Sequence, residues 1–196
     1  MLTDAALTEK IVLASTSPRR AAILRAVGWP FETLAPEVDE TRAPDEDAVA
    51  YVRRLALAKA RAAASRLEST LVLGADTVVV IEGEILGQPR DADDARRMLR
   101  LLSGKWHEVL TGVALVRAGA EADCVVDQET TRVRFSQMSD TEIDWYVRTG
   151  EPMGKAGAYA VQGCAALFIE EIQGEYFNVV GLPVRLLYKL ARQLAQ

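Results

Sequence analysis

Leu71-Val72-Leu73-Gly74-Ala75-Asp76-Thr77-Val78-Val79-Val80-Ile81 is the stretch on which the fold turns. It is strongly apolar and β-branched, which predicts a central strand. Upstream, Asp45 to Asp47 supply N-cap chemistry for a long Ala-rich helix over 48–66, with Val52, Leu55, Ala56 and Lys59 at helical spacing. Further back, the apolar run Ile11 to Ala14 predicts a buried strand that leads through Ser15 to Ser17 into a helix over 19–27 with Pro18 in its first turn. A short strand over 31–34 then runs into the acidic loop Pro36 to Thr41. Downstream, Glu82-Gly83 predicts a hairpin turn into a strand over 84–86, and Asp91 to Asp94 start a helix that stops near Ser103-Gly104. Strands over 106–117 and 124–135 pair as a hairpin around Ala118-Gly119, followed by a helix over 140–148. The tail holds a glycine-punctuated stretch from Gly150 to Gly163, a strand over 166–171 and a closing helix over 183–194. Strands and helices interleave without repeats or low-complexity segments, so the chain is a mixed α/β protein with a central sheet and flanking helices.

At 196 residues and 49% hydrophobic, the chain predicts a single domain over 1–196, or two lobes sharing a core, with residues 1–10 as a loose N-terminal extension. No window reaches the roughly 18 consecutive apolar residues of a membrane span, and Met1 to Lys10 carries acidic residues where a targeting signal would be basic. A cytoplasmic location and no membrane partner are expected. Cys124 and Cys164 are far apart and lack a CxxC spacing, which fits reduced thiols. The net charge of −5 argues against a nucleic-acid partner. An anionic ligand must therefore be held locally, by clustered arginines and lysines with a divalent metal.

The charged residues that interrupt apolar patterns are the candidate chemistry. Asp76 inside the central strand is costly to bury unless it is paired, binds a metal or sits at an exposed strand end. It is either a carboxylate satisfied by nearby backbone donors or a metal ligand and general base. Glu37, Asp39 and Glu40 form a second carboxylate cluster, either solvated or, with Asp76, a hard-oxygen site for magnesium or manganese. Lys59 shares a helix face with Leu55 and Ala56, as a snorkelling lysine or a group turned into a cleft. Ser15 to Arg20 place hydroxyls and guanidiniums at a helix N-terminus, where unpaired N–H groups and the dipole favour phosphate; an ordinary N-cap is the plainer alternative. His107 is the only histidine, which excludes multi-histidine zinc sites and predicts for it a structural role or one supporting the site residues from behind. With no GxSxG, P-loop or GxGxxG motif present, the chemistry falls to carboxylates, a metal and cations, the inventory of phosphoryl or nucleotidyl transfer to water.

Seven motifs recur in fixed order between Ile11 and Leu190: LASTSPRRAAIL from Leu13, APEVDET over 35–41, Lys59 in the next helix, GADTVV over 74–79, LSGKWHEVLTG over 102–112, YVRTGEPMGKAGAYAVQG over 146–163 and GEYFNVVGLP over 174–183. In these the chain resembles the Maf family of nucleoside triphosphate pyrophosphatases. The resemblance implies an inosine-triphosphatase-like mixed α/β fold with two lobes around a deep cleft, and hydrolysis of a nucleoside triphosphate to the monophosphate and pyrophosphate. It also implies a house-cleaning role in nucleotide metabolism and a homodimer. Arg19 after the proline, Thr77 after the aspartate and Gln162 in the VQG triplet resemble the members acting on dTTP and UTP; members preferring 7-methyl-GTP carry tryptophan, glutamine and glutamate there. An amide at Gln162 can both donate and accept toward a pyrimidine edge.

By the same resemblance, Ser15, Arg19, Arg20 and Lys59 grip phosphates, while Glu37, Glu40 and Asp76 hold a magnesium or manganese ion. Asp76 accepts a proton from the water attacking the α-phosphorus. The chain departs from the family at Gly87-Gln88-Pro89, where a GKP lysine is usual, so a phosphate-facing cation is replaced by an amide, which can still hydrogen-bond a phosphate, or its charge is supplied by neighbouring Arg90. Two other functions fit the same residues. One is a non-catalytic nucleotide-binding regulator of cell division, the other a metal-dependent phosphomonoesterase.

Overall fold

The computed structural model describes residues 9–120 and 123–195. The predicted N-terminal extension therefore lies mostly outside the described residues. In chain order the elements are β1 (Ile11–Ala14), α1 (Pro18–Ala26), β2 (Phe31–Thr33), α2 (Ala48–Ala64), β3 (Leu71–Ile81), β4 (Glu84–Leu86), α3 (Ala92–Leu102), β5 (Trp106–Arg117), β6 (Cys124–Phe135), α4 (Asp140–Arg148), β7 (Ile169–Gln173), α5 (Tyr176–Val180) and α6 (Val184–Leu194). Short 3-10 turns occupy Ala156–Ala158 and Cys164–Leu167.

The strands form one mixed sheet in the order β2-β1-β3-β5-β6-β7, with β4 added to β3. β1 runs parallel to both neighbours, pairing Ile11 with Phe31 and with Leu71, and Ala14 with Gly74. β4 returns antiparallel to β3, and β7 antiparallel to β6 with Phe135 opposite Ile169. The hairpin turn at Glu82-Gly83 and the strand β3 stand where the sequence puts them. The strand predicted over 166–171 does not: Cys164–Leu167 is a 3-10 turn, and β7 begins only at Ile169. Leu167 is 73% exposed, so the apolar run there reflects a turn residue and not a strand face.

The chain divides into two compact units. The first takes in residues 9–76, 111–120, 123–129 and 181–195. Its core is small-residue packing: Ala56, Ala60, Ala63 and Ala64 of α2 lie against Val12, Ala14, Val72, Ala114 and Val116 of the strands. Glycines set this distance. A Cβ on Gly74 would stand 2.1 Å from the Ala56 carbonyl oxygen, and one on Gly112 would stand 2.2 Å from that of Val52. α2 can therefore approach the backbone of β3 and β5 where any larger side chain would force it off. Asp47 caps α2 by accepting from the Ala50 N–H.

The second unit, Thr77–Leu110 and Thr130–Val180, has an aromatic core instead, with Phe135, Tyr146, Tyr159 and Phe168 among Met98, Leu99, Leu102 and Ile143. Asp91 caps α3, and Ser139 with Glu142 forms a reciprocal capping box on α4. Asn178 explains part of the GEYFNVVG motif: its Nδ2 donates to the Val109 carbonyl at 2.9 Å and to Thr131 Oγ1 at 3.0 Å, tying α5 to β5 and β6.

Candidate active site

In the first unit, β1 ends at Ala14 and the chain passes through Ser15-Thr16-Ser17 into α1. Ser17 is the N-cap, accepting from the Arg20 N–H at 3.5 Å, with Pro18 in the first turn. Ser15 is only 8% exposed. Its Oγ accepts from the Ser17 N–H at 3.1 Å and from Arg20 Nη1 at 3.2 Å, which leaves the hydroxyl proton to donate to an anion. Arg20 Nε donates to the Gly181 carbonyl at 2.8 Å, so the guanidinium is held rigidly beside Ser15. Burial lowers the pKa of Arg20, and the Asp76 carboxylate opposes that effect. Arg19 next to it is half-buried, and burial lowers its pKa as well.

Asp76 ends the first unit's part of β3 and is 7% exposed. Its Oδ1 accepts from Lys59 Nζ at 2.6 Å, and the same ammonium lies 2.7 Å from Glu40 Oε1. One buried lysine thus joins two carboxylates that come from a strand and a loop. The close approach at Gly74 makes this geometry reachable, since Lys59 precedes Ala60 on the face that touches β3. Burial lifts the Asp76 carboxyl above the usual aspartate range; the Lys59 ammonium and then the Arg20 guanidinium oppose the rise, and Glu40 adds to it.

The acidic loop is fixed by two residues that sequence reasoning missed. Tyr51 Oη donates to the Glu40 carbonyl at 2.8 Å, and Arg54 Nη2 donates to that of Thr41 at 3.1 Å while its Nε binds Glu46 at 2.7 Å. A signal was present: Tyr51, Leu55 and Lys59 stand four residues apart along α2 and so share a face. Within the loop, Asp39 Oδ1 accepts from the Thr41 N–H at 2.8 Å, so Asp39 shapes the turn. Glu37 is exposed. Among the described residues no three histidine, cysteine, aspartate or glutamate side chains gather into a metal-binding group; of Glu37, Glu40 and Asp76, only Glu40 and Asp76 meet, through Lys59.

The second unit holds the remaining candidates. Thr77 is half-buried on β3, Gln88 is exposed in the loop after β4, and Gln162 is exposed between the two 3-10 turns. The Gly157 N–H donates to the Gly87 carbonyl at 3.0 Å, which sets the Ala156–Ala158 turn beside Gln88. Arg90 is committed elsewhere: its backbone N–H and Nε both bind Asp94 Oδ2, at 3.2 and 3.1 Å. His107 is structural, as expected. It is 2% exposed, its Nε2 lies 2.9 Å from Tyr159 Oη, its ring meets Phe135 edge-on, and burial lowers its pKa to about 4.

Comparison with known proteins gives the chain its relatives. The family model described as Maf-like protein matches residues 10–194. A protein of Symbiobacterium thermophilum named dTTP/UTP pyrophosphatase is 52% identical over 188 residues, 96% of this chain and 94% of that one. Proteins of the same name from Anaeromyxobacter dehalogenans and Bacillus cytotoxicus are 52% and 46% identical, over 89% and 96% of this chain and 89% and 95% of theirs. The solved structure of the Staphylococcus aureus Ham1 protein shares the fold at 13% identity, with a TM-score of 0.55 over 94% of this chain and 99% of that one. With a family model matched from residue 10 to residue 194 and relatives about half identical across nearly their whole length, the chain belongs to the Maf family.

Proposed function

We propose that this chain is a hydrolase that splits dTTP and UTP into the nucleoside monophosphate and pyrophosphate. The relatives named above carry that activity in their names at 46–52% identity over most of the chain. The observation that carries the reading onto these residues is the buried Lys59 ammonium shared by Asp76 and Glu40 in the unit that also holds Ser15 and Arg20. Ser15, Arg19, Arg20 and Lys59 bind phosphate oxygens as charge-assisted donors. Water attacks the α-phosphorus, the bond from that phosphorus to the bridging oxygen of pyrophosphate breaks, and the water's proton passes to Asp76. Burial suits Asp76 to this, because an unperturbed aspartate is a weak base. Thr77 and Gln162, with Arg19, read the base, the Gln162 amide offering both donor and acceptor to a pyrimidine edge.

Metal dependence belongs to the same proposal. Glu40 and Asp76 are hard-oxygen donors brought to one point by Lys59, and with that ammonium turned to a phosphate they would fit magnesium or manganese, waters and substrate phosphates completing the shell, with Glu37, three residues before Glu40, as a further donor. When bound, the ion would neutralise phosphate charge and lower the pKa of a coordinated water. The test is to incubate the protein with a panel of nucleoside triphosphates, 7-methyl-GTP included, with magnesium, manganese or chelator, and to measure monophosphate, pyrophosphate and orthophosphate. Pyrophosphate in equal amount to monophosphate, largest for dTTP and UTP and abolished by chelator, is expected. Orthophosphate with no pyrophosphate, the phosphates being removed one at a time from the terminal end, would make the protein a phosphatase of the phosphomonoesterase kind, and no product at all a binding protein.

A further inference from the structure

The Gln162 segment is held from outside itself. Two residues before Gln162, the Ala160 N–H donates to Tyr146 Oη at 3.2 Å. Two residues after it, the Cys164 N–H donates to Glu151 Oε2 at 2.9 Å, and the Ala165 N–H to Glu151 Oε1 at 3.3 Å. Tyr146 Oη in turn donates to Glu151 Oε1 at 2.7 Å, so both sides of Gln162 lead back to one carboxylate. Room for that carboxylate is made by Gly163: a Cβ there would stand 2.1 Å from Glu151 Oε2. Burial by itself would raise the pKa of Glu151, but the Cys164 N–H, the Tyr146 hydroxyl and the Ala165 N–H together bring it below the ordinary glutamate range. The group is therefore an ionised acceptor, whose hydrogen bonds are stronger than neutral ones. A carboxylate that spends both oxygens on the backbone of an exposed turn fixes where the turn's one long amide side chain can point.

We propose that Glu151 is a positioning residue for base selection: with Tyr146, it clamps the turn 160–165 so that Gln162 is presented to the nucleobase. The proposal rests on the pyrimidine-reading role of Gln162 given above. Glu151 and Tyr146 touch no reacting atom, so they act through Gln162 and not on the phosphates.

Glu151→Gln keeps one acceptor oxygen and replaces the other with an amide NH2, which donates and cannot accept from an N–H. It is expected to raise KM for dTTP about tenfold with kcat changed less than about threefold, and to lower the dTTP-over-GTP selectivity by about tenfold. The discriminating step is a double-mutant cycle. In a Gln162→Ala background, Glu151→Gln should have no further effect on selectivity, whereas a merely structural glutamate would lower stability without that coupling. Gly163→Ala provides the second variant, since the three atoms nearest its new Cβ are the flexible end of the Glu151 side chain, which it should displace with the fold intact. It carries the same comparison if Glu151→Gln does not fold. Unchanged KM and selectivity in both variants, or effects that multiply independently with Gln162→Ala, would overturn the proposal. A wild-type protein indifferent to the base would overturn the pyrimidine reading beneath it, before any variant is compared.

Discussion

At the scale of the residue, Asp76 works against its surroundings. Burial favours the protonated acid, and the ammonium of Lys59 with the guanidinium of Arg20 restores much of the charged form. The acid limb of kcat/KM is thus expected above the ordinary aspartate range, and Lys59→Gln should move it further up by removing the larger opposing charge; a pH–rate profile of both proteins checks this. Asp76→Asn should lower kcat by about 10²- to 10⁴-fold with cooperative unfolding retained, and a fully active variant would remove Asp76 from the mechanism. Gln88→Lys is expected to raise turnover severalfold, measured as pyrophosphate release, because Arg90 is bound to Asp94 and does not stand in for the missing cation. That Asp76 and Lys59 stand out was readable in the sequence, since each is a charge inside an apolar pattern, and both are buried. That Glu40 alone of the acidic loop joins them, and through Lys59, was not, because a loop carboxylate's contacts depend on what anchors the loop, here Tyr51 and Arg54.

Elements follow hydrophobic period closely in this chain. α4 spans the residues its capping signal and apolar spacing predict, and β3, β5 and β6 begin and end at the bounds expected for them. The miss at 166–171 has a physical reason: Ala166 and Leu167 are apolar, but β7 is defined by its ladder to β6, which starts at Ile169 opposite Phe135. A single sequence does not reveal a partner's register. The packing of α2 on β3 is the element-scale feature on which the site depends. Gly74→Ala would drive a methyl into the Ala56 carbonyl and the Ala60 N–H, backbone groups that cannot rotate away. A loss of about 3 kcal/mol or more is expected in urea unfolding, accompanied by a fall in kcat as Lys59 withdraws from Asp76.

For the whole molecule, stability should carry the signature of a buried neutral histidine. The His107 pKa falls from 6.5 in the unfolded chain to about 4 in the fold. The neutral ring is favoured in the folded state, so its contribution is complete above pH 6.5 and is lost as pH falls toward 4. Asp94, held near 2 by Arg90 and Arg97, loses its own contribution only at lower pH, between the ordinary aspartate value and 2. Urea midpoints measured from pH 7 to pH 4 should therefore fall by the equivalent of roughly 2–3 kcal/mol, and His107→Gln, which can still bond Tyr159, should flatten that slope. What the sequence determined by itself is the set of elements and the residue types able to do phosphoryl chemistry, because hydrophobic period, caps and glycines act within a few residues of one another. Only the tertiary structure decided that Asp76 and Glu40 share Lys59, that Arg20 leans on Ser15 and Gly181, and that Glu151 grips the turn around Gln162. Apart from Ser15 with Arg20, those pairings join residues a dozen or more positions apart, and their geometry is set by how closely backbone meets backbone in the packed core.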